Sequence, residues 1–575
     1  FHIFGLFLTR LINANMKKEN ILLWGLVVAF AVIMSFPYIV PHTGWMALFG
    51  LVPLLCMERI ATMLEKKHVW IYHYSAFVLW NAITTFWVWF ATPGGAVAAF
   101  VLNTLQMAII FTLFRWMRKF TNGFLPYLFF CIVWLAWEHS YQNGQINWPW
   151  LILGNSFATS IKHIQWYEFT GTLGGSLWIL LSNMLIHRII LLKNRQKPIR
   201  VSVGALAAVI LIPTIFSHIL YYNCREEENP AEFAVLQPNI DPYTDKFGGQ
   251  SLMEQTANLL ELADQAAGQV ADTVPQIVVA PETFIFNERW SSRLQESAPQ
   301  RNPSYKAIAN WVKGENLSGK ELSMIVGAVT YNGDKYHNAS IFMEAANDST
   351  ASVVPQYYHK SKLVVLAESN PFRSGPFKFM DKLVRNMAGG IGDYQPQDTR
   401  DVFETSHGVK VGTAICYESV FPHFYREWAL NGANVMAIIT NDGWWRDTPG
   451  HKQHLNYARL RAIENRRSIA RSANTGISAF INQRGDIVQQ TGWWERGYLT
   501  GTLNLNGEKT IYTIHGDIIG RLSRFLMWVK MDMRCSSLMN DDGEKCLRSY
   551  FLFFCTSCST SFSQGQSLNA SCPTS

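Results

Sequence analysis

The sequence predicts a chain of two parts: a multi-pass α-helical membrane domain over residues 21–222, then an α/β domain over residues 223–508. Three observations predict it. Charged residues are 16% of the 575, where ordinary globular domains carry roughly 25%. The deficit is uneven, with 20 Asp, Glu, Lys and Arg in residues 1–222 and 71 in the remaining 353. Beyond residue 225 the chain becomes short β-branched runs alternating with amphipathic stretches, bounded by turn residues. The first part holds 15 basic and 5 acidic residues and the rest 34 and 37. A nucleic-acid binder carries its basic excess on a polar domain. Here the excess lies between apolar runs, which excludes a simple DNA or RNA binder, and 49% hydrophobic residues exclude a disordered chain.

Seven apolar segments occupy about 21–40, 43–57, 69–91, 96–114, 124–138, 172–192 and 201–222. Several reach the ~20 residues a spanning helix needs; those at 43–57 and 124–138 are short. Loop charges set the orientation. Lys17, Lys18, Arg59, Lys66, Lys67, Arg115, Arg118, Lys119, Lys193, Arg195, Lys197 and Arg200 fall in loops of one parity, and Lys162 alone in the other. The N-terminus is therefore expected in the cytoplasm, and everything after Tyr222 on the outer face. The loop between the fifth and sixth segments is rich in tryptophan, with Trp148, Trp150 and Trp166, and Trp134 and Trp137 just before it. It reads either as an interfacial aromatic belt or as a lip admitting lipid to an outer site. Glu138 lies near the end of an apolar segment, where an acid is costly unless paired or wet.

Met16-Lys17-Lys18 has the form of an initiator with a basic start, which sets residues 1–15 apart as upstream sequence; the N-terminal segment is taken as 1–20. After about Lys530 the chain turns Ser- and Cys-rich, and residues 531–575 read as an atypical tail. Five of the nine cysteines, Cys535, Cys546, Cys555, Cys558 and Cys572, crowd there. Cys555-x-x-Cys558 lacks a second pair at zinc spacing, so no metal is expected.

In the α/β part, strands are expected at Glu232–Gln237, Gln276–Ala280, Met324–Thr330, Ala339–Glu344, Val353–Tyr358, Val409–Ile415, Val435–Thr440 and Ile477–Asn482, and helices at 252–268, 303–313 and 451–471. Such a domain of roughly 280 residues buries a substantial core. Three strand ends carry chemistry. Val409–Ile415 runs into Cys416, the only cysteine between residues 225 and 534, at the edge where α/β proteins place their sites. An inert buried thiol is the competing reading. Val278-Val279-Ala280-Pro281 leads to Glu282, which alone could be a solvated or capping carboxylate. Tyr357-Tyr358-His359 leads to Lys360, which alone would be a surface lysine. Together they supply what a cysteine nucleophile needs: a base for its proton and a cation for the thiolate and the developing oxyanion.

With these residues the chain resembles the nitrilase (carbon–nitrogen hydrolase) superfamily, whose Glu-Lys-Cys triad lies on an α-β-β-α sandwich. With the preceding spans it is similar to the superfamily's membrane-embedded apolipoprotein N-acyltransferase branch. The resemblance covers about 20–525 and rests on Gln237-Pro238-Asn239-Ile240, Ala280-Pro281-Glu282, Tyr358-His359-Lys360, Cys416-Tyr417-Glu418, Asn441-Asp442-Gly443-Trp444 and the run from Gln453 to Glu464. It implies Glu282 as general base, Lys360 as transition-state cation and Cys416 as the acyl-carrying nucleophile. It implies supporting or substrate-binding roles for Glu368, Tyr417, Glu418, Phe247 and Trp444; Tyr417 and Phe247 also read as core aromatics. It implies acyl transfer from a membrane phospholipid to the N-terminal S-diacylglyceryl-cysteine amine of an apolipoprotein through a thioester, without cofactor, at the bacterial inner membrane with the catalytic domain periplasmic.

Two departures stand out. Relatives read Lys-x-x-Leu-Val-Pro-Phe-Gly-Glu where this chain has Val365-Leu366-Ala367 before Glu368, which changes the stiffness of that loop. The family closes with an eighth span; here residues 509–530 hold only its start, Ile518–Val529, interrupted by Arg521 and Arg524. The alternatives are a membrane-tethered amidase or nitrilase-type hydrolase using the same triad, and an inactive membrane scaffold.

Overall fold

The computed structural model describes residues 16–121, 123–144, 147–246, 248–268, 276–289, 302–316, 322–345, 353–370, 378, 381–382 and 394–535. The expectations for residues 1–15, for Phe247 and for the tail cysteines from Cys546 onward lie outside them. All seven apolar segments are helical: α1 (Met16–Ile39), α2 (Val52–Met63), α3 (Val69–Thr85), α4 (Pro93–Phe120), α5 (Leu125–Asn143), α6 (Thr172–Asn194) and α7 (Arg200–Asn223). Five stretches are long and apolar enough to cross a membrane: Lys18–Ile39, Gly44–Met63, Pro93–Phe120, Thr172–Asn194 and Arg200–Asn223. The second is longer than its apolar core suggested, because a short turn at Gly44–Met46 feeds the helix that runs on through Glu58. α3 has 17 residues, and α5 ends in the polar run from Glu138 to Asn143. α7 leaves Leu211, Ile212, Ile215, Phe216 and Ile219 exposed, an apolar face suited to lipid.

The α/β domain stacks two sheets. The first contains β1 (Pro230–Gln237), β2 (Gln276–Val279), β3 (Ile285–Arg289), β4 (Ser323–Asn332), β5 (Lys335–Ala345), β6 (Val353–His359) and β13 (Gly497–Asn504), ordered β13-β1-β2-β4-β5-β6 with β3 on β4. The second contains β7 (Val402–Glu404), β8 (Lys410–Ile415), β9 (Val435–Thr440), β10 (Ile469–Ala473), β11 (Ala479–Ile481) and β12 (Ile487–Gln490), ordered β12-β11-β10-β9-β8-β7. Side-chain alternation along the strands builds the layers. Ala234, Val278, Met324 and Ile341 face helices α8 (Leu252–Ala267) and α9 (Pro303–Val312) in one core. Their neighbours Phe233, Val235, Ile277, Val279, Ile325 and Phe342 join the other core with Val411, Ile415 and Ile438 of the second sheet. Outside the second sheet lie α10 (Pro422–Leu430) and α11 (Pro449–Asn465).

The eight expected strands are present with ends shifted by a few residues, and β3, β7, β10, β12 and β13 were not anticipated. One expected helix is too long. The run at 451–471 ends at Asn465 because Arg466 turns left-handed (φ 48), and Ile469–Ala473 is recruited as a strand between β9 and β11. Tertiary pairing overrides a local pattern that continues a helix.

α11 is also where the two parts meet. Glu464 accepts from the backbone N–H of Thr172 at the start of α6, 3.0 Å away, and pairs with Arg461. The aromatic loop is neither a belt nor an open lip at Trp150. Its indole is 1% exposed and lies between Trp148 and Tyr457, because the α/β domain covers it. Glu138 is paired, accepting from Trp134 Nε1 (3.1 Å) and the N–H of Leu153 (2.9 Å). The closing segment forms a helix, α12 (Ile518–Cys535), seated so closely that a Cβ on Gly520 would lie 2.6 Å from the His139 ring of α5.

Candidate active site

The three strand ends converge at the seam between the sheets. Glu282 follows β2 in a tight turn: Gly327 N–H donates to Pro281 O (3.1 Å), Phe284 N–H to Gly327 O (2.8 Å), and Thr283 is left-handed at φ 51. A β-branched residue at positive φ is an outlier, and it turns Glu282 out of the strand line. Gly327 lies under this turn, where a Cβ would come within 2.5 Å of Glu282 Cα and Thr283 N. Backbone cannot yield there, so Gly327→Ala should displace Glu282. The expected result is a fall of about 100-fold in turnover from a misplacement of about 1 Å, with a melting loss of about 1–3 kcal/mol, checked by kinetics and thermal unfolding.

Lys360 follows β6, its N–H bonded to Asn338 O at 2.7 Å. Its ammonium is 3.0 Å from Glu282 Oε1 and 2.9 Å from Glu368 Oε1. Asn338 Nδ2 bridges the same two oxygens, at 2.8 and 2.9 Å. Burial disfavours the Lys360 charge, but Glu282 and Glu368 outweigh it and hold the ammonium well above the ordinary lysine range. Glu368 reaches this position without the proline and glycine of relatives. Its other oxygen accepts from Val364 N–H at 2.8 Å, and Leu366 supplies the turn at φ 68.

Cys416 follows β8 and is itself left-handed, φ 51, before a 3-10 turn through Val420. Its thiol is close enough to Glu282 and Lys360 for both to act on its ionisation. Burial pushes the thiol well up and Glu282 pushes the same way, while Lys360 and the Thr440 hydroxyl pull against them. Glu418 ties this turn to the Lys360 strand end: it accepts from Ile415 N–H (2.8 Å), Ser361 N–H (2.7 Å) and the Tyr358 hydroxyl (2.7 Å). Burial pushes the Glu418 carboxyl up against these bonds. Tyr417 points away from the triad; its hydroxyl donates to Asn147 O at 3.0 Å and its ring stacks on Trp148. Trp444 pairs with Tyr243, whose hydroxyl donates to its carbonyl at 2.7 Å and whose ring meets its indole edge-on. Phe247 lies outside the described residues.

Three groups near the site were not singled out from the sequence. Lys246 donates to Glu282 O at 2.9 Å; burial brings its ammonium down to about 8, although Glu282 and Cys416 favour its charge. Its place directly before Phe247 was the available signal. Asn338 lies among Lys335, His337 and Ser340 in the polar first half of β5, where no residue pattern marks it out. Asp442, within a motif already noted, pairs with Arg471 and His454. Burial would raise its carboxyl, but Arg471 and then His454 hold it well below the carboxylate range. Among the described residues no group of three or more His, Cys, Asp or Glu converges as a metal site.

Two stacked sheets with Glu282, Lys360 and Cys416 brought together at their strand ends make up this domain, and residues 233–511 match the carbon–nitrogen hydrolase family. Residues 16–185 match the apolipoprotein N-acyltransferase N-terminal domain, and the chain belongs to the apolipoprotein N-acyltransferase family of that superfamily. Its relatives include the apolipoprotein N-acyltransferase of Chlorobaculum tepidum, 29% identical over 502 residues, 83% of this chain and 89% of that one. Another is apolipoprotein N-acyltransferase 1 of Treponema denticola, 24% identical over 543 residues, 89% of this chain and 96% of that one. Among solved structures, Saccharomyces cerevisiae Nit3 of the nitrilase superfamily is 16% identical with a TM-score of 0.34, covering 50% of this chain and 94% of its own. A Nesterenkonia amidase of the same superfamily is 18% identical with a TM-score of 0.35, covering 53% of this chain and all of its own. By its family and its apolar helices the chain is a membrane protein.

Proposed function

We propose that the chain transfers an acyl group from a membrane phospholipid to the N-terminal S-diacylglyceryl-cysteine amine of an apolipoprotein, with Cys416 as carrier. The observation that carries this reading is the buried Lys360 ammonium between Glu282 and Glu368, beside the thiol, in a domain joined along α11 to apolar helices. The thiol is held neutral, so it needs a base in the attacking step. Glu282 takes its proton as sulfur adds to the ester carbonyl. Lys360 stabilises the oxyanion, a term worth ~3–4 kcal/mol in comparable sites. The C–O bond breaks, Glu282 returns the proton to the departing lysophospholipid, and a thioester remains on Cys416. The acceptor amine then attacks the thioester, Glu282 accepts its proton, and the thiol is released as the amide forms. Both substrates reside in the bilayer, which accounts for the mounting of this domain on membrane helices. Loop charges support a cytoplasmic N-terminus, hence an α/β domain on the periplasmic side of the inner membrane.

Incubation of the purified chain with phospholipid alone, followed by mass spectrometry, tests the reading. A hydroxylamine-labile acyl adduct on Cys416 is expected. Its absence, with release of free fatty acid or turnover of soluble amides, would favour the hydrolase instead. A second test uses Glu282→Gln. Loss of the base should slow thioester formation by about 100- to 10,000-fold. Removing a negative charge near the thiol also stabilises the thiolate, so alkylation of Cys416 by iodoacetamide should rise at lower pH than in the unaltered protein. A thiol more ionised yet far less able to take an acyl group is the signature of a missing base; unchanged thioester formation would exclude Glu282 from that role.

A further inference from the structure

Two adjacent side chains on α11 face opposite partners. Gln453 reaches into the membrane domain. Its amide nitrogen donates to the carbonyls of Tyr38 (3.1 Å) and Thr84 (3.2 Å), in the last turns of α1 and α3. Its oxygen accepts from the indole N–H groups of Trp87 (3.2 Å) and Trp150 (2.6 Å). Both donors and both acceptor positions of the amide are used. The seat is close: a Cβ on Gly450, one turn earlier, would lie 2.5 Å from the Trp87 ring, and the Tyr457 hydroxyl, one turn later, donates to Trp150 O at 2.8 Å.

His454 reaches the other way. Its Nε2 is 3.1 Å from Cys416 O, an acceptor, and 2.9 Å from Ser419 Oγ, which donates to the same carbonyl at 2.8 Å. Its Nδ1 faces Asp442 Oδ1 at 3.0 Å. The imidazole is flanked by Trp150 from the membrane domain (6.0 Å) and Trp445 from the α/β domain (5.5 Å). The carbonyl it holds belongs to a left-handed cysteine, a conformation that persists only where surrounding structure enforces it.

We propose that Gln453 is a positioning residue for Cys416: it fixes α11 to the membrane domain, α11 fixes His454, and His454 fixes the carbonyl of the nucleophile. The thiol is aligned only while the membrane helices are seated on α11, which confines acyl uptake to the assembled, membrane-mounted protein. The inference rests on the reading of Cys416 as acyl carrier.

The test uses the full-length chain in phosphatidylglycerol-containing micelles, with Gln453→Met, the milder Trp87→Phe, and His454→Asn. At saturating phospholipid, Gln453→Met and His454→Asn should slow Cys416 thioester formation by about 100-fold, Trp87→Phe less, and half-saturation should stay within about twofold of the unaltered protein. The pH profile of iodoacetamide alkylation, set by Glu282, Lys360, Lys246 and Asp442 around the sulfur, should move by about half a unit or more in all three. Trp87→Phe combined with His454→Asn should be no slower than His454→Asn alone, since both act through one route. Rates that fall only with the folded fraction, an alkylation profile that superposes on the unaltered one, or losses that multiply would overturn the proposal. If the unaltered chain forms no thioester, the functional reading fails, while the alkylation profiles still decide whether Gln453 positions the sulfur.

Discussion

Replacing Cys416 by alanine is expected to abolish thioester formation and acyl transfer, and replacing it by serine to slow both by about 1,000-fold or more, as for nucleophiles that act in a unit with their base. The fold should survive either change, because the residue is only partly buried and its neighbours are fixed by Glu418 and His454 rather than by sulfur. A third substitution separates chemistry from stability. Cys416 sits at φ 51, where an L residue carries roughly 1–2 kcal/mol of strain and glycine carries none. Cys416→Gly should therefore melt above Cys416→Ala by about 1 kcal/mol or less, after glycine's extra unfolded-state entropy is subtracted, while being equally inactive. A serine variant retaining near-normal acylation, measured by mass spectrometry after phospholipid incubation, would remove Cys416 from the mechanism.

The second large effect is expected at Lys360. Its ammonium is the shared partner of two carboxylate oxygens, Oε1 of buried Glu282 and of partly buried Glu368. Lys360→Met leaves these groups facing one another with only Asn338 Nδ2 between them. Breaking a buried pair by removing one partner costs about 3–5 kcal/mol, so the variant should melt well below the unaltered chain, and loss of the oxyanion cation should slow acylation by about 100- to 1,000-fold. The deficit should depend on pH with a definite sign. Glu282 and Glu368 hold the Lys360 ammonium well above the ordinary lysine range, and a base raised in the folded state contributes stability that is fully present below its unfolded value and lost as pH rises through the folded one. The stability gap between Lys360→Met and the unaltered protein should therefore hold through neutral pH and narrow only above about pH 10; a gap that widened there would contradict the shared-partner geometry.

Much of this was legible in the sequence, and the reasons are local. Apolar run length and loop charge report on each segment independently of the rest, so the seven apolar segments could be marked as helical, five stretches among them being long and apolar enough to cross a membrane. The strands ending at Glu282, Lys360 and Cys416 were visible because β-branched residues stop abruptly at a reactive side chain. Their assembly was harder: the three lie far apart in sequence, and only the family pattern linked them. The boundary at Asn465 was missed because Arg466 adopts a left-handed cap that its residue type does not announce, and β10 forms only because β9 and β11 are there to pair with it.

The sequence alone determined the division into apolar helices and an α/β domain and the strand ends that carry the thiol, acid and ammonium, since these follow from composition, periodicity and residue type along the chain; the family was reached through the resemblance of its motifs. The tertiary structure decided that Glu368 reaches Lys360 through a loop lacking its usual proline and glycine, that Trp150 is interior rather than interfacial, and that Gln453 and His454 connect the bilayer-facing helices to the cysteine. Those relations depend on which backbone carbonyls and indoles meet across hundreds of residues. Hydrogen bonds of a few ångströms are set by packing, and no local pattern encodes them.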